Sequence, residues 1–339
     1  MKILITGGAG FIGCNLAAHF IRAGHQVTVF DNLSRRGSEA NLTWLRETFK
    51  DGFTVTRGEV REAGSIAQAA KGQDAIFHLA AQVAVTTSVN NPREDFEINA
   101  LGTFNTLEAA RLAGTNPIFI YTSTNKVYGG MEEEGVRETE SRYEFERLSQ
   151  GVPESYPLDF HSPYGCSKGT GDQYTRDYHR IYGLPTIVFR QSCIYGIRQF
   201  GVEDQGWLAH FAISATLGQG VRIYGDGKQV RDVLFIDDLV RAFEMAMAGI
   251  KRTAGQVYNI GGGPKNQLSV WRDTGPILEK LAEEPIPVEY KDWRPGDQRI
   301  YVSDIGKAKT EFGWEPRVSP EEGLARLWSW VQANKGLFK

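Results

Sequence analysis

The first thirteen residues, Met1-Lys-Ile-Leu-Ile-Thr-Gly-Gly-Ala-Gly-Phe-Ile-Gly13, restrict the possible folds more than any other stretch. The apolar run Lys2–Thr6 reads as a strand, and the spacing of apolar residues over Phe11–Ala23 reads as a helix. Between and just inside them, Gly7, Gly10 and Gly13 allow a tight turn, an uncovered stretch of backbone and a close approach of helix to strand. A helix that starts behind such a turn offers free N–H groups to phosphate oxygens. Three glycines at this spacing are common by chance in a chain with 38 of them, so their place at the first strand-to-helix turn is what gives them weight.

The same alternation continues. Further strands are expected at Gln26–Phe30, Phe53–Arg57, Ala75–Leu79, Ile118–Thr122 and Thr186–Arg190. Helices are expected at Ser65–Lys71, Phe96–Ala113 and Ser162–Tyr182, with Gly24 and Gly183 placed as helix stops. Strands alternating with helices predict an α/β protein with a doubly wound parallel sheet of Rossmann type, which takes its ligands at the carboxyl ends of its strands. Residues 1–194 form this part, with elements returning to it from about 236–250 and 303–312. Residues 195–339 read as a smaller C-terminal lobe of mixed α/β character, rich in Arg, Asp and Gly around Tyr224–Asp232 and Trp293–Asp297, and suited to a second ligand. The segment Met131–Phe160, with eight glutamates, is too long for an ordinary connection and reads as a charged, solvent-facing excursion or a lid.

Composition narrows the function. The chain has 339 residues, 41% hydrophobic and 23% charged, enough for a sizeable core. A net charge of −3 without any run of five basic residues argues against nucleic acid as a partner. Cys14, Cys166 and Cys193 are too few and too scattered for a disulfide framework or a zinc site, so no metal is expected and a reducing, cytoplasmic location is. The apolar run at the start is too short for a signal peptide, and no later run approaches the ~20 residues of a membrane span.

Asp31, 18 residues after Gly13, closes the second strand where a carboxylate can bond both ribose hydroxyls and repel a 2′-phosphate. This favours NAD over NADP, although Arg35 and Arg36 lie close enough in sequence to hold such a phosphate. On the helix from Ser162, Tyr164 and Lys168 are four residues apart and share a face. A phenol with a pKa of about 10 is ionised at pH 7 to roughly one part in a thousand, a penalty of about 4 kcal/mol that nearby positive charge must offset. Lys168 and an oxidised nicotinamide would supply it. Thr124, just past the strand Ile118–Thr122, brings a short hydroxyl to the same sheet edge.

Together the glycine turn, Thr122-Ser-Thr-Asn-Lys-Val-Tyr-Gly129 and Tyr164-Gly-Cys-Ser-Lys168 resemble the short-chain dehydrogenase/reductase superfamily, in its extended branch that modifies nucleotide sugars. The resemblance covers essentially the whole chain. It implies a catalytic set of Thr124, Tyr164 and Lys168. It implies cofactor contacts from Gly7, Gly10, Phe11, Ile12, Gly13, Asp31, Asn32, Glu59, Val60, Leu79, Ala80, Ala81, Asn99, Tyr164 and Lys168, with Glu59 standing where the family usually has Asp. His78 is either a satisfied core histidine or a participant. In the 4,6-dehydratases of this superfamily two carboxylates follow the Thr; here Asn125 and Lys126 do, which disfavours elimination of water.

The stretches Ser123–Gly129, Leu158–Lys168, Arg198–Phe200, Asp204–Trp207 and Gly227–Val233 resemble the CDP-tyvelose (CDP-paratose) 2-epimerase family more than the UDP-galactose 4-epimerases. That implies an isomerase inverting carbon 2 of a CDP-sugar, CDP-paratose to CDP-tyvelose, with CDP-glucose to CDP-mannose as a secondary reaction, through a transient 2-keto sugar. Substrate contacts are then expected from Thr124, Asn125, Cys193, Gln205, Trp207, Arg231 and Arg294, the two arginines on the pyrophosphate, with a buried structural thiol as the other reading of Cys193. A UDP-hexose 4-epimerase and a non-catalytic NAD-binding scaffold stay open as alternatives. The family's dimers pair through two long helices, here Phe96–Ala113 and Ser162–Tyr182, so a homodimer or homotetramer is expected.

Overall fold

Ile3 and Ile5 face one side of the first strand and Leu4 the other, and all three are fully buried. A strand apolar on both faces belongs inside a sheet covered twice, the environment of parallel strands. Ala75 and Phe77 against Ile76, and Ile120 against Phe119 and Tyr121, repeat the division into two cores. The computed structural model, which describes residues 1–294 and 297–338, shows the sheet these patterns require. Its strands are β1 (Lys2–Thr6), β2 (Gln26–Asp31), β3 (Phe53–Arg57), β4 (Ala75–His78), β5 (Ile118–Thr124), β6 (Thr186–Gln191) and β7 (Gln256–Ile260). They are all parallel, in the order β7-β6-β5-β4-β1-β2-β3. The order reverses between β1 and β4, and a crevice opens at the carboxyl ends there.

The covering helices are α1 (Phe11–Arg22), α2 (Ser38–Phe49), α3 (Ala63–Ala70), α4 (Gly102–Arg111), α5 (Ser162–Tyr182), α6 (Ile236–Ala248) and α7 (Gly306–Phe312). The six expected strands are present, with ends shifted by two residues at most. The expected helix Phe96–Ala113 is divided: a short helix Pro92–Phe96 leads through a π turn at Glu97–Leu101 into α4. Helix α2 and strand β7 were not among the expected elements. Strand β7 arrives from the second half of the chain and pairs with β6 from Gln256 opposite Ile187 to Ile260 opposite Gln191. Helix α5 ends at Gly183, which adopts the left-handed conformation at φ +67°. It lies flush on β5 because Gly171 has no side chain: a Cβ there would come within 2.5 Å of the Tyr121 hydroxyl.

Beyond the sheet, Val230–Phe235 pairs with Cys193–Tyr195 and Ile300–Tyr301 in parallel and with Gln267–Ser269 antiparallel. A second parallel pair joins Val221–Tyr224 to Val288–Lys291. Of the stretch Trp293–Asp297, Pro295 and Gly296 lie outside the described residues. The segment Met131–Phe160 is not a free excursion. Met131 and Val152 are buried with Val127, Tyr128 and Tyr301, Tyr143 is buried with Val230, Ile300 and Val302, the Tyr143 hydroxyl donates to Asp226 at 2.6 Å, and Val152 N donates to Val302 O at 2.8 Å. The negative charge remains outside: Glu132, Glu133, Glu138, Glu140 and Glu146 are exposed. Acidic residues dominate the composition of this segment, but its few aromatic and branched residues decide where it lies. Among the described residues no helix is long and apolar enough to cross a membrane.

Candidate active site

At the first turn Gly7 is left-handed (φ +67°), and its N–H donates to Phe30 O at 2.8 Å. A Cβ on Gly13 would lie 2.2 Å from Gly7 O, so α1 can start this close to the turn only with glycine there. The start of α1 faces a cleft of about 1260 Å³, its open mouth included. The cleft is lined by Gly7, Gly10, Phe11, Ile12, Gly13, Asp31, Asn32, Glu59, Val60, Leu79, Ala80, Ala81, Tyr164 and Lys168, all expected cofactor contacts. Asn99, the remaining one, stands behind the wall: it is 1% exposed, accepts from Gln82 N and donates to Asp95 and Ser167. At the end of β2, Asp31 accepts from Ala9 N (3.0 Å) and Leu33 N (2.8 Å), and burial pushes its carboxyl up. Burial also acts upward on Glu59, but hydrogen bonds from Arg61 and Asn32 outweigh it and hold that carboxylate low. A bare backbone turn that a Cβ would fill, with a carboxylate at each of the next two strand ends, suits a dinucleotide with unmodified ribose. Arg35 and Arg36 also line the cleft, Arg35 donating to Gln205 at 2.9 Å and Arg36 to Phe338 O at 3.5 Å.

Thr124 ends β5, and Tyr164 and Lys168 lie on the first turns of α5; Tyr164 and Lys168 line the cleft, and the Thr124 hydroxyl is hydrogen-bonded to Tyr164. Burial raises the Tyr164 pKa, and the neighbouring Thr124 hydroxyl opposes that rise, as does the charge of Arg35. Lys168, 4% exposed, has its pKa pulled down to about 7 by burial, against the carboxylates Asp95 and Asp172. Its ammonium lies 4.3 Å from the Tyr121 ring centroid. The expected pairing therefore has a different balance. Lys168 is itself desolvated, and the groups acting against the rise at Tyr164 are Thr124 and Arg35. His78 is a core histidine, bonded to Thr6 at 2.8 Å and Thr103 at 3.0 Å and kept neutral by burial, with a pKa near 3.

A second cavity continues past Tyr164 toward the lobe. Thr124, Cys193, Gln205 and Trp207 line it, together with Phe11, Ile12, Ser123, Gln191 and Gln199. Burial raises the Cys193 thiol, so it stays protonated. The other expected substrate contacts are not on this wall. Asn125 is buried and accepts from the Thr124 hydroxyl at 3.3 Å. Arg231 pairs with Asp297 at 2.8 Å and donates to the carbonyls of Val230 and Gln298. Arg294 pairs with Asp204 at 3.0 Å and lies over the Tyr224 ring. Gln191, at the end of β6, lines both cavities, and its buried Nε2 has no acceptor among the described residues. No motif marks it; only its place at a strand's carboxyl end could have pointed to it. Among the described residues no cluster of three or more His, Cys, Asp or Glu is placed to hold a metal ion.

The profile of the GDP-mannose 4,6 dehydratase family matches residues 4–327. The CDP-paratose 2-epimerase of Salmonella typhi is 43% identical over 344 residues, spanning 98% of this chain and 100% of that protein. The crystal structure of the UDP-glucose 4-epimerase of Thermotoga maritima with UDP-glucose superposes with a TM-score of 0.84 at 32% identity, covering 99% of this chain and 100% of the other. The dTDP-glucose 4,6-dehydratase of Streptomyces venezuelae, with NAD bound, reaches a TM-score of 0.86 at 32% identity, covering 100% and 99%.

Proposed function

The chain belongs to the GDP-mannose 4,6 dehydratase family, an NAD-dependent group of nucleotide-sugar epimerases and dehydratases with the extended short-chain dehydrogenase/reductase fold, and from that premise we propose that it inverts carbon 2 of a CDP-hexose. The observation that carries this choice within the family is the pair that follows Thr124. Elimination of water needs an acid and a base beside the sugar, and Asn125 is a buried amide while Lys126 is a cation donating to Gln298 at 3.0 Å. Inversion through a ketone needs one group that removes and returns a hydroxyl proton, and Tyr164 meets that need. The 43% identity with a CDP-paratose 2-epimerase over the full length supports carbon 2 and the cytidine nucleotide.

NAD, when bound along the glycine turn and Asp31, supplies reversible acceptance of hydride from the sugar carbon. Tyr164 takes the proton of the carbon-2 hydroxyl and later gives it back. Thr124 hydrogen-bonds the same oxygen and keeps it in line with the phenol. Lys168 supplies positive charge beside the cofactor ribose and the phenolate. Arg231 and Arg294 take the pyrophosphate in exchange for Asp297 and Asp204, since a guanidinium fits two phosphate oxygens as well as a carboxylate. The sheet half thus holds the cofactor and the lobe holds the sugar nucleotide. For assembly we assign a homodimer, or a tetramer built from it, joined through helices α4 and α5, where Phe104, Tyr174, Ile181 and Tyr182 are exposed.

The test is NMR of purified protein with CDP-glucose, and separately UDP-glucose, in D₂O. CDP-mannose without deuterium at carbon 2 supports the proposal. Galactose configuration from UDP-glucose refutes it in favour of 4-epimerisation. If neither sugar turns over, CDP-paratose decides, and failure with that sugar too refutes the proposal.

A further inference from the structure

Behind Tyr164 and Lys168 lies a carboxylate that this mechanism does not use. Asp95, on the short helix Pro92–Phe96, is 1% exposed. Its Oδ1 accepts from Gln82 Nε2 at 2.9 Å and Asn99 Nδ2 at 3.1 Å, and its Oδ2 accepts from the Ser167 hydroxyl at 2.5 Å. The three donors come from the three elements that make the site: the cleft wall after β4, the π turn, and α5 between the two catalytic side chains. All three are neutral, so they hold the carboxylate without cancelling its charge. Asp172, the other buried carboxylate near Lys168, is already matched by Arg190 through bonds of 2.9 and 3.1 Å.

We propose that Asp95 is a positioning residue whose charge sets the working pH of the site, holding the proton on Lys168 and opposing ionisation of Tyr164. The inference rests on the carbon-2 reaction proposed above only for its kinetic readout. Against the strong desolvation of Lys168, Asp95 is the first of the groups that favour its charged form, and on Tyr164 it acts in the same upward direction as burial. The other groups facing the pair are Tyr121 on β5, under the ammonium; His78 on β4, neutral; Asp172 on α5, paired with Arg190 on β6; and Arg35 from the loop after β2, facing Tyr164.

Asp95→Asn separates charge from structure. The amide oxygen keeps the bonds from Gln82 and Asn99, while the amide nitrogen donates to Ser167 Oγ, whose hydroxyl turns to Tyr164 O, 3.2 Å away. Without the negative charge, Lys168 gives up its proton at lower pH and Tyr164 ionises at lower pH. Both limbs of the pH–rate profile therefore move the same way, by about one unit, whichever limb belongs to which group. At a fixed pH on the alkaline limb this is a loss of about tenfold. Asp95→Glu, which retains the charge, should return the profile to its wild-type position even where its height falls. Asp95→Gln takes the place of the asparagine variant if that protein does not fold.

The same shift is read without any sugar by titrating the near-ultraviolet phenolate band of Tyr164 with NAD present, as the difference between each protein and its Tyr164→Phe counterpart. A lowered height at an unmoved position, with an unmoved phenolate titration, would reduce Asp95 to a structural role and overturn the inference. If wild-type protein leaves CDP-sugars untouched, the carbon-2 reading fails separately, and the phenolate titration alone decides Asp95.

Discussion

Replacing Gly13 by alanine adds one methyl group at the point where the first turn and α1 meet. Built on the native backbone, that carbon lies 2.2 Å from Gly7 O and 2.6 Å from Gly8 Cα, where ordinary contact starts at 3.4 Å. Both neighbours are backbone, so no rotamer change relieves the overlap; the turn or the helix start must move by about 1 Å. Overpacking of this kind costs about 1–3 kcal/mol. The atoms forced to move are those that face the phosphates, so much of the cost appears in cofactor binding. Since each 1.4 kcal/mol is tenfold, the Kd for NAD should rise roughly tenfold to a hundredfold. Isothermal calorimetry with NAD and thermal melting without it measure the two parts. Gly64→Ala is the control, because a Cβ there meets nothing within 4 Å, and its NAD affinity should stay at wild type. A Gly13→Ala protein with unchanged melting and an NAD affinity within twofold of wild type would refute the close-approach argument.

Three other outcomes are expected. Tyr164→Phe should lower kcat by about 10²–10⁴-fold with NAD affinity intact, and near-normal turnover would remove Tyr164 from its assigned role. Lys168 has a folded pKa near 7, below its ordinary 10.5, so between these values the unfolded chain binds the extra proton and folding stability rises with pH. The group contributes up to about 1.4 kcal/mol per pH unit, and urea midpoints at pH 7 and pH 9 should rise less in Lys168→Met than in wild type; equal slopes would contradict the desolvated lysine. Arg190→Met strands a fully buried Asp172 and should cost about 3–5 kcal/mol in denaturant unfolding, with much of it recovered when Asp172→Leu is added; a loss below about 1 kcal/mol would refute the stranded-carboxylate argument.

The parts of the site that were legible in the sequence are those in which local chain chemistry and position coincide. Gly7, Gly10, Gly13 and Asp31 stand at a strand-to-helix turn and a strand end, and Tyr164 and Lys168 share a helix face, so each pairing spans few residues. Sheet strands were legible for the same reason, since the central ones are apolar on both faces and the edge strand β3 alternates Phe53 and Val55 with Thr54 and Thr56. Strand β7 was not, because about 65 residues, most of them lobe, separate it from its parallel partner β6. Asp95 lies in the charged stretch Pro92–Glu97 and looks solvent-facing until the π turn and α5 close over it. The arginines offered for pyrophosphate show a different limit: sequence identified residues able to bind two oxygens, while the fold shows both already holding a carboxylate. In the segment after β5 the glutamates suggest exposure along its whole length, whereas burial of Met131, Tyr143 and Val152 places it against the lobe.

The late arrival of β7 also orders events on the ribosome. Strand β6 leaves the exit tunnel with one edge unpaired, and its partner emerges about 65 residues later, several seconds at synthesis rates of roughly 5–20 residues per second. During that interval the nascent chain exposes the unpaired N–H and C=O groups of a strand that is buried throughout in the finished protein, next to the strand that carries Thr124. A truncated product ending near residue 194 would carry the same unpaired edge permanently and should associate through it. The sheet that carries the cleft is therefore complete only after nearly four-fifths of the chain has been made.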